Sequence, residues 1–263
     1  MKDNICNSVQ RLERKYVCCW SGGKDSTASI ILAHLNNEPL DIIVFAEVMF
    51  DKEHNISGEN PKHMEFIRNI AKPLFESWGY EVHILRAKKD YLDIFNHIIE
   101  KPTKHIEHKG MKFGFPNSGL CGVKRDCKEK PIKDFLKSLN EPYTRYVGIC
   151  IDEPKRLKSL HKDKNQISLL EKYNYTEEMA MKLCRDYGLL SPCYETSKRG
   201  GCWFCQHAKL AEHKAIRECN RKAWERFIAL EEEDNVAFNK WNVYGTTLKE
   251  RERQIVEETA ETK

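Results

Sequence analysis

Ser21-Gly22-Gly23-Lys24-Asp25-Ser26 constrains this chain more than any other stretch, because of what flanks it. Tyr16 to Trp20, just before it, is a short run of strand-forming residues. After it, Ala28, Ile31, Leu32 and Leu35 recur at helical spacing and make one apolar stripe. Asn36, Asn37 and Pro39 then stop that helix. Strand, glycine turn, helix is an arrangement suited to anions. The glycines let the backbone bend tightly and turn its N–H groups toward a phosphate, and the helix beginning near Asp25 adds the positive end of its dipole. Ser21 and Ser26 offer hydroxyl hydrogen bonds and Lys24 a point charge. Asp25 repels phosphates unless it holds a magnesium ion or caps the loop. The glycine spacing differs from that of the GxxxxGK[ST] loop. An ordinary β-to-α turn is the plainer alternative; the full hexapeptide in this context favours a nucleotide, ATP or a related adenine nucleotide.

The same alternation continues downstream. Asp41 to Val48 is a nearly continuous apolar strand, as expected when helices cover both faces of a parallel sheet. A polar stretch holding Gly58, Glu59 and His63 follows, where a loop can close over a nucleotide. A helix then carries Phe66, Ile67, Ile70, Ala71, Leu74, Phe75 and Trp78 on one broad face, and Gly79 ends it. Glu81 to Arg86 reads as a third strand, Asp90 to Ile99 as a helix, Lys101 to Lys128 as mostly loop. Pro131 to Leu139 is a further helix and Arg145 to Ile149 a fourth strand. Right-handed βαβ units and a doubly wound, mainly parallel sheet follow. Beyond residue 155 short helices take over, with Thr176 as an N-cap and Gly188 as a stop, and the tail from Arg221 is charged and helical in composition. The expected division is a polar segment at 1–15, a nucleotide-binding α/β core at 16–165 and a smaller helical, cysteine-containing region at 166–263.

No apolar run among the 263 residues is long enough to span a bilayer, and the first fifteen residues lack the apolar stretch of a secretory signal. A cytoplasmic location without membrane contact is the expectation. The net charge of +4 permits an anionic partner without demanding one, and the basic residues are spread along the chain, as on a solvated surface. The eleven cysteines are more telling. In a reducing compartment clustered cysteines bind metal or do chemistry, and isolated ones pack as small hydrophobes. Cys202 and Cys205 form a CxxC on a Gly-Gly turn, which presents two sulfurs to one metal; Cys121 and Cys127 form a looser upstream pair. Together they suit a [4Fe–4S] cluster or a tetrahedral zinc, while the CxxC alone also suits a dithiol redox pair or two buried thiols beside Trp203 and Phe204. Cys18, Cys19, Cys184 and Cys6 are expected to be structural or inert; Cys150 and Cys193 adjoin motifs.

SGGKDS resembles the PP-loop of the N-type ATP pyrophosphatases, whose members include sulfonucleotide reductases, tRNA thiolases, and argininosuccinate and GMP synthetases. Lys124-Arg125-Asp126-Cys127 with Pro131, Gly148 to Arg156, and Gly200-Gly201-Cys202-Trp203-Phe204-Cys205 resemble the phosphoadenosine phosphosulfate (PAPS) reductase-like branch, in the expected order over roughly residues 16 to 230. The resemblance implies a HUP-like adenine-nucleotide fold with the ligand at the carboxyl ends of the strands, where the topology rule for open α/β sheets also puts it. It implies Mg²⁺-dependent chemistry at phosphorus, with Asp25 and Lys24 as catalytic residues and Ser21 to Ser26 with Glu47 around the nucleotide. Cys121, Cys127, Cys202 and Cys205 would be metal ligands; cluster-bearing reductases of that branch use an adjacent Cys-Cys pair, and here the first pair is split.

Glu47, at a strand end, suits ribose, the adenine amine, magnesium or plain solvent. Asp152, Glu153, Lys155 and Arg156 should face the same pocket, Lys124 and Arg125 suit a polyphosphate or sulfonate, and His97, His105 and His108 read as loop or surface residues. His207 lies close to the CxxC and can orient a ligand. The resulting expectation is an ATP-dependent sulfur-transfer enzyme. It adenylates a substrate oxygen, releases pyrophosphate and takes sulfur from a donor or carrier, the acceptor being a tRNA base, a nucleobase or a small metabolite. The alternatives are a sulfonucleotide reductase, or a non-catalytic nucleotide- and metal-binding subunit of a nucleic-acid-modifying complex. The reductases use a cysteine in a Glu-Cys-Gly-type tail; here no cysteine follows Cys219, which is followed by Asn220.

Overall fold

The strand expected at 41–48 lies at Ile42–Glu47, and all six of its side chains are buried. Only the interior of a sheet covered on both faces demands that. In the structure, a computed structural model describing residues 14–116, 121–196 and 200–261, the strands are β1 (Lys15–Trp20), β2 (Ile42–Glu47), β3 (Met49–Asp51), β4 (Ile56–Ser57), β5 (Glu81–Arg86), β6 (Lys112–Gly114), β7 (Tyr143–Tyr146), β8 (Gln166–Ile167) and β9 (Val236–Phe238). Five of them form one sheet in the order β5-β2-β1-β7-β8, with every pairing parallel. The chain steps outward one way from β1 to β2 and β5, then returns and continues on the other side with β7 and β8. The reversal falls between β1 and β7, and ligands of open α/β sheets bind at that switch point. The expected doubly wound α/β fold is therefore the observed one. Helix α1 (Lys24–Leu35) follows β1 directly, and nine of its twelve residues are buried.

Two later helices contain a π-helical turn, and proline explains both. Helix α2 (Pro61–Phe66) runs through a π-turn at Ile67–Ala71 into α3 (Lys72–Ser77). After the short helix α4 (Tyr91–Phe95), a second π-turn at Lys124–Glu129 leads into α5 (Lys130–Ser138). Pro73 and Pro131 stand second in α3 and α5. A proline inside a helix has no N–H to give and its ring crowds the carbonyl four residues back. The preceding residue bonds five back instead: Lys72 N–H donates to the Ile67 carbonyl and Lys130 N–H to that of Arg125. The wider turn lets the helix pass the proline without ending.

Several sequence expectations are corrected. Residues 101–128 hold more than loop: they contain β6, and helix begins at 122 because the π-turn absorbs Pro131. The helix expected at 90–99 stops at Phe95, started by a capping box between Asp90 and Asp93. The fourth sheet strand is Tyr143–Tyr146 and leaves Gly148 to Cys150 as a loop. The charged tail from Arg221 includes strand β9 as well as helices. Thr176 does cap its helix, accepting from Met179 N–H, and Gly188 follows that helix's end with φ +66°. Residues 1–13, with Cys6, lie outside the described residues.

Two of the four apolar cores among the described residues are large. One lies on the sheet, where Trp20, Ile31, Phe45 and Phe75 meet Ala180, Cys184 and Leu189 from the C-terminal region. The other is aromatic, gathering Phe50, Tyr91, Phe115, Trp203, Phe204, Trp224, Phe227 and Trp241 from distant parts of the chain. Beside Trp224 and Trp241 in that second core lies His213, with ring centroids 4.9 and 5.0 Å away and no exposed surface. Burial, helped by the Arg251 charge, lowers its pKa from 6.5 to about 3. The unfolded chain takes up a proton near pH 6.5 that the folded one refuses. Stability present above pH 6.5 is thus lost as pH falls toward 3, at roughly 1.4 kcal/mol per unit for this one group. Urea midpoints measured from pH 7 to 4 should fall more steeply in the wild type than in His213→Gln; parallel curves would show that the imidazole titrates normally.

Candidate functional site

The loop Ser21–Ser26 leaves the carboxyl end of β1 at the switch point, and its glycines have separate duties. Gly22 takes φ +73°, and a Cβ there would lie 2.5 Å from the His63 imidazole. Gly23 is the N-cap of α1 and, having no side chain, offers no capping bond of its own. The serines close the turn from within. Ser26 Oγ donates to the Gly23 carbonyl (3.1 Å) and accepts from Ser21 N–H (3.1 Å), and it lies 3.0 Å from Ser21 Oγ. Ser21 Oγ also accepts from Gly23 N–H at 3.3 Å.

Lys24 and Asp25 are held by residues far away in sequence. The Lys24 ammonium, 8% exposed, donates to both Asp25 oxygens (2.8 and 3.0 Å) and to Glu177 Oε2 (2.8 Å). Burial alone would lower its pKa, but the hydrogen bonds to Asp25 and Glu177 outweigh burial and raise it. Lys24 therefore stays charged. Asp25 Oδ1 also accepts from the Cys150 thiol at 3.3 Å. Burial first, and Asp25 second, hold that thiol protonated by raising its pKa. Cys184 donates to the Lys24 carbonyl, with burial pushing its pKa up to about 12.

Sequence reasoning misses Tyr194. Its phenol oxygen accepts the Lys24 backbone N–H at 2.9 Å, on the end of α1 that attracts anions. Burial pushes the phenol's pKa up to about 12, so it remains neutral. The available signal is weak, a tyrosine between a proline turn and the CxxC. His63 is the second bridge: its Nδ1 lies 2.6 Å from Ser191 Oγ, burial lowers its pKa, and its ring lies against Gly22.

Glu47 ends β2, as expected, but its buried carboxylate is already clamped. Arg68 Nη2 reaches both oxygens (2.8 and 2.9 Å) and Arg86 Nε one (2.9 Å). Asp152 accepts from Glu177 N–H at the start of the helix Glu177–Asp186, 25 residues away, while Glu153 pairs with Arg156 within its own turn.

Of the four expected metal-binding cysteines, three line one cavity of 400 Å³: Cys121, Cys202 and Cys205, with Lys124, Lys128 and His207. Cys127 is not among them. Set in the π-turn, it is fully buried in the aromatic core, and burial, with Asp126, Asp90 and Asp93 adding, pushes its pKa up to about 12. Among the described residues no three cysteine sulfurs lie within 4.8 Å of one another. A tetrahedral zinc with bonds of ~2.3 Å needs its sulfurs about 3.8 Å apart, so this geometry is wider than a preformed zinc site. Iron–sulfur clusters hold their cysteines farther apart. Polar atoms without a partner collect here too: Tyr91 Oη and Gln206 Oε1 on the cavity lining, and Glu59 Oε1 beside it. Glu59 is the antiparallel bridge partner of Cys202. Such a donor set, soft sulfurs among hydrogen-bonding groups and two ammoniums, fits a cluster better than an apolar core.

The floor of the loop is a second close approach. A Cβ at Gly148 would meet Asp25 C and Ser26 N at 2.6 Å, backbone on both counts. Gly148→Ala should therefore push α1 away from β7 and cost roughly 1–3 kcal/mol, measured as a lower urea midpoint; a midpoint within error of the wild type would show the approach to be loose.

No family model and no curated protein matches this chain. Among solved structures, the U34-tRNA thiolase NcsA from Methanococcus maripaludis, with its [4Fe-4S] cluster, is similar at 13% identity and a TM-score of 0.40, over 94% of this chain and 73% of that one. No helix among the described residues is long and apolar enough to cross a membrane.

Proposed function

We propose that this chain is a PP-loop enzyme that uses ATP to activate a substrate oxygen for replacement by sulfur. The observation that carries the reading is the place of the Ser21–Ser26 loop: at the switch point of a parallel sheet, opening a helix whose first side chain is a buried, charged lysine. Adenine nucleotides bind where that geometry converges backbone N–H groups, a helix dipole and a fixed cation.

In this reading an acceptor oxygen attacks the α-phosphorus of ATP, pyrophosphate leaves, and a sulfur nucleophile then displaces AMP. The chain's own residues have distinct parts. Ser21, Gly22 and Gly23 shape the turn around the phosphates, and Lys24 places a permanent positive charge at its entrance. Asp25, between Lys24 and Cys150, is the carboxylate that would take magnesium, which neutralises developing charge on phosphate oxygens. Cys121, Cys202 and Cys205 would hold a [4Fe–4S] cluster, which supplies sulfur or electron chemistry when bound. Structural zinc is the alternative for the same cysteines, and the wide cavity disfavours it. Tyr194 and His63 tie the loop to the segment around Ser191, and in this reading the nucleotide and the cysteines serve one reaction.

Two measurements test this. Calorimetric titration with MgATP should give micromolar binding in the wild type, weakened about tenfold in Lys24→Met, a loss of roughly 1.4 kcal/mol. No binding by the wild type would remove the enzyme reading altogether. Anaerobic purification with iron, sulfide and zinc analysis should give roughly four iron and four sulfide per chain. Cys121→Ser, Cys202→Ser and Cys205→Ser should each lose them, and Cys127→Ser should retain them if it folds with a wild-type circular dichroism spectrum. One zinc and no iron would make the cysteines structural.

A further inference from the structure

A second cavity lies on another face of the helix that borders the cysteines. It measures 480 Å³ and sits over the parallel pair β6–β9. Its floor is apolar and aromatic: Phe113 and Phe238 pack with ring centroids 5.1 Å apart, beside Ile94 and Ile99. His108 stands edge-on to Phe238 at 5.4 Å and stacks on His105 at 5.0 Å, which continues the ring surface toward solvent. The rim is cationic. Lys89, Lys101, Lys104 and Arg125 all line it. The one carboxylate on the lining is Asp126, and Arg125 covers it with hydrogen bonds of 2.7 and 2.8 Å.

The cavity does not end there. Lys89 and Asp126 also line a neighbouring concavity of 620 Å³, which adds Arg86, Lys88 and Lys130. Its second carboxylate, Asp134, is held by Lys130 at 3.0 Å. Basic residues that look scattered in sequence are thus gathered by the fold into a track, with the track's acids already paired. A single small anion needs one pocket. A cationic track leading to a recess floored by rings matches a chain of phosphates with an unstacked base, because bases stack on aromatic faces and lysines follow the backbone.

We propose that this recess and track bind single-stranded nucleic acid, a base entering over Phe113 and Phe238 and the phosphodiester backbone running along Lys101, Lys104, Lys89 and Lys130. The inference deepens the proposed function by giving its acceptor class, and depends on that reading only for what is done to the bound strand. A membrane surface carries negative charge too, but it presses on a flat or protruding face and has no base for a recessed aromatic floor.

The test is fluorescence anisotropy of the full chain with a fluorescein-labelled, mixed-sequence oligonucleotide of about 16 nucleotides, as RNA and as DNA, between low and physiological salt. Wild-type binding to at least one strand, falling with salt, is expected. Lys89→Glu/Lys101→Glu/Lys104→Glu should bind at least tenfold more weakly, with the slope of log K against log salt reduced by about 2, at ~0.7 for each lost phosphate contact. Lys101→Gln/Lys104→Gln should show a smaller loss in the same direction. MgATP titration of the same variants should match the wild type, which separates damage to this track from failure of the nucleotide reading. Any of three results overturns the proposal: no wild-type binding to RNA or DNA, strand binding unchanged in the triple variant, or a triple-variant loss seen only with anionic phosphatidylserine vesicles.

Discussion

The ammonium of Lys24, buried between Asp25 and Glu177, is the interaction on which the architecture of the site depends. A charge removed from water is tolerated only when fully partnered, and here the partners come from both ends of the chain. Asp25 is its neighbour in the loop, while Glu177 opens the helix Glu177–Asp186, which packs on α1. Removing either carboxylate would leave a buried cation short of an acceptor. The loop geometry and the docking of the C-terminal region are therefore secured by one ion triad. Tyr194 and His63 reinforce the link, one by capping the helix start and the other by filling the space that Gly22 leaves open.

That coupling explains why a division of the chain near residue 165 is chemically incomplete. Cys184 and Leu189 complete the core over α1, while Val48, Phe50 and Tyr91, from the first hundred residues, complete the aromatic core around Trp203. Each core draws on both halves. The segment from Ser57 to His63 spans the two: Ser57 accepts from the Trp203 indole, Glu59 bridges to Cys202, and His63 rests on the phosphate loop. A displacement at the loop has a short, continuous path of packed groups to the cysteines.

Much of this was legible in the residues. The strand at 42–47 and the phosphate loop follow from local pattern, since a parallel strand buried on both faces is nearly all apolar and a tight β-to-α turn favours glycine. The Thr176 cap is equally local. The rest depends on partners distant in sequence. Nothing near Glu47 announces that Arg68 and Arg86 will close on it, and nothing near Lys24 announces Tyr194, 170 residues away. Cys127 is instructive in another way: it lies in a cysteine pair whose spacing suggests a shared metal, yet the π-turn forced by Pro131 turns it into the core while Lys124 and Lys128 face the cavity.

The helix that carries Pro131 has consequences for the whole surface. The side chains of this helix, which widens at 124–129 and tightens at 130, point into different cavities. Lys124 and Lys128 border the cysteines, Arg125 borders the recess above β6 and β9, and Lys130 borders the next concavity. The placement of one helix thus distributes positive charge over three adjoining cavities. It also makes this helix the one element of the described residues that lines the sulfur-bearing cavity and both halves of the basic track.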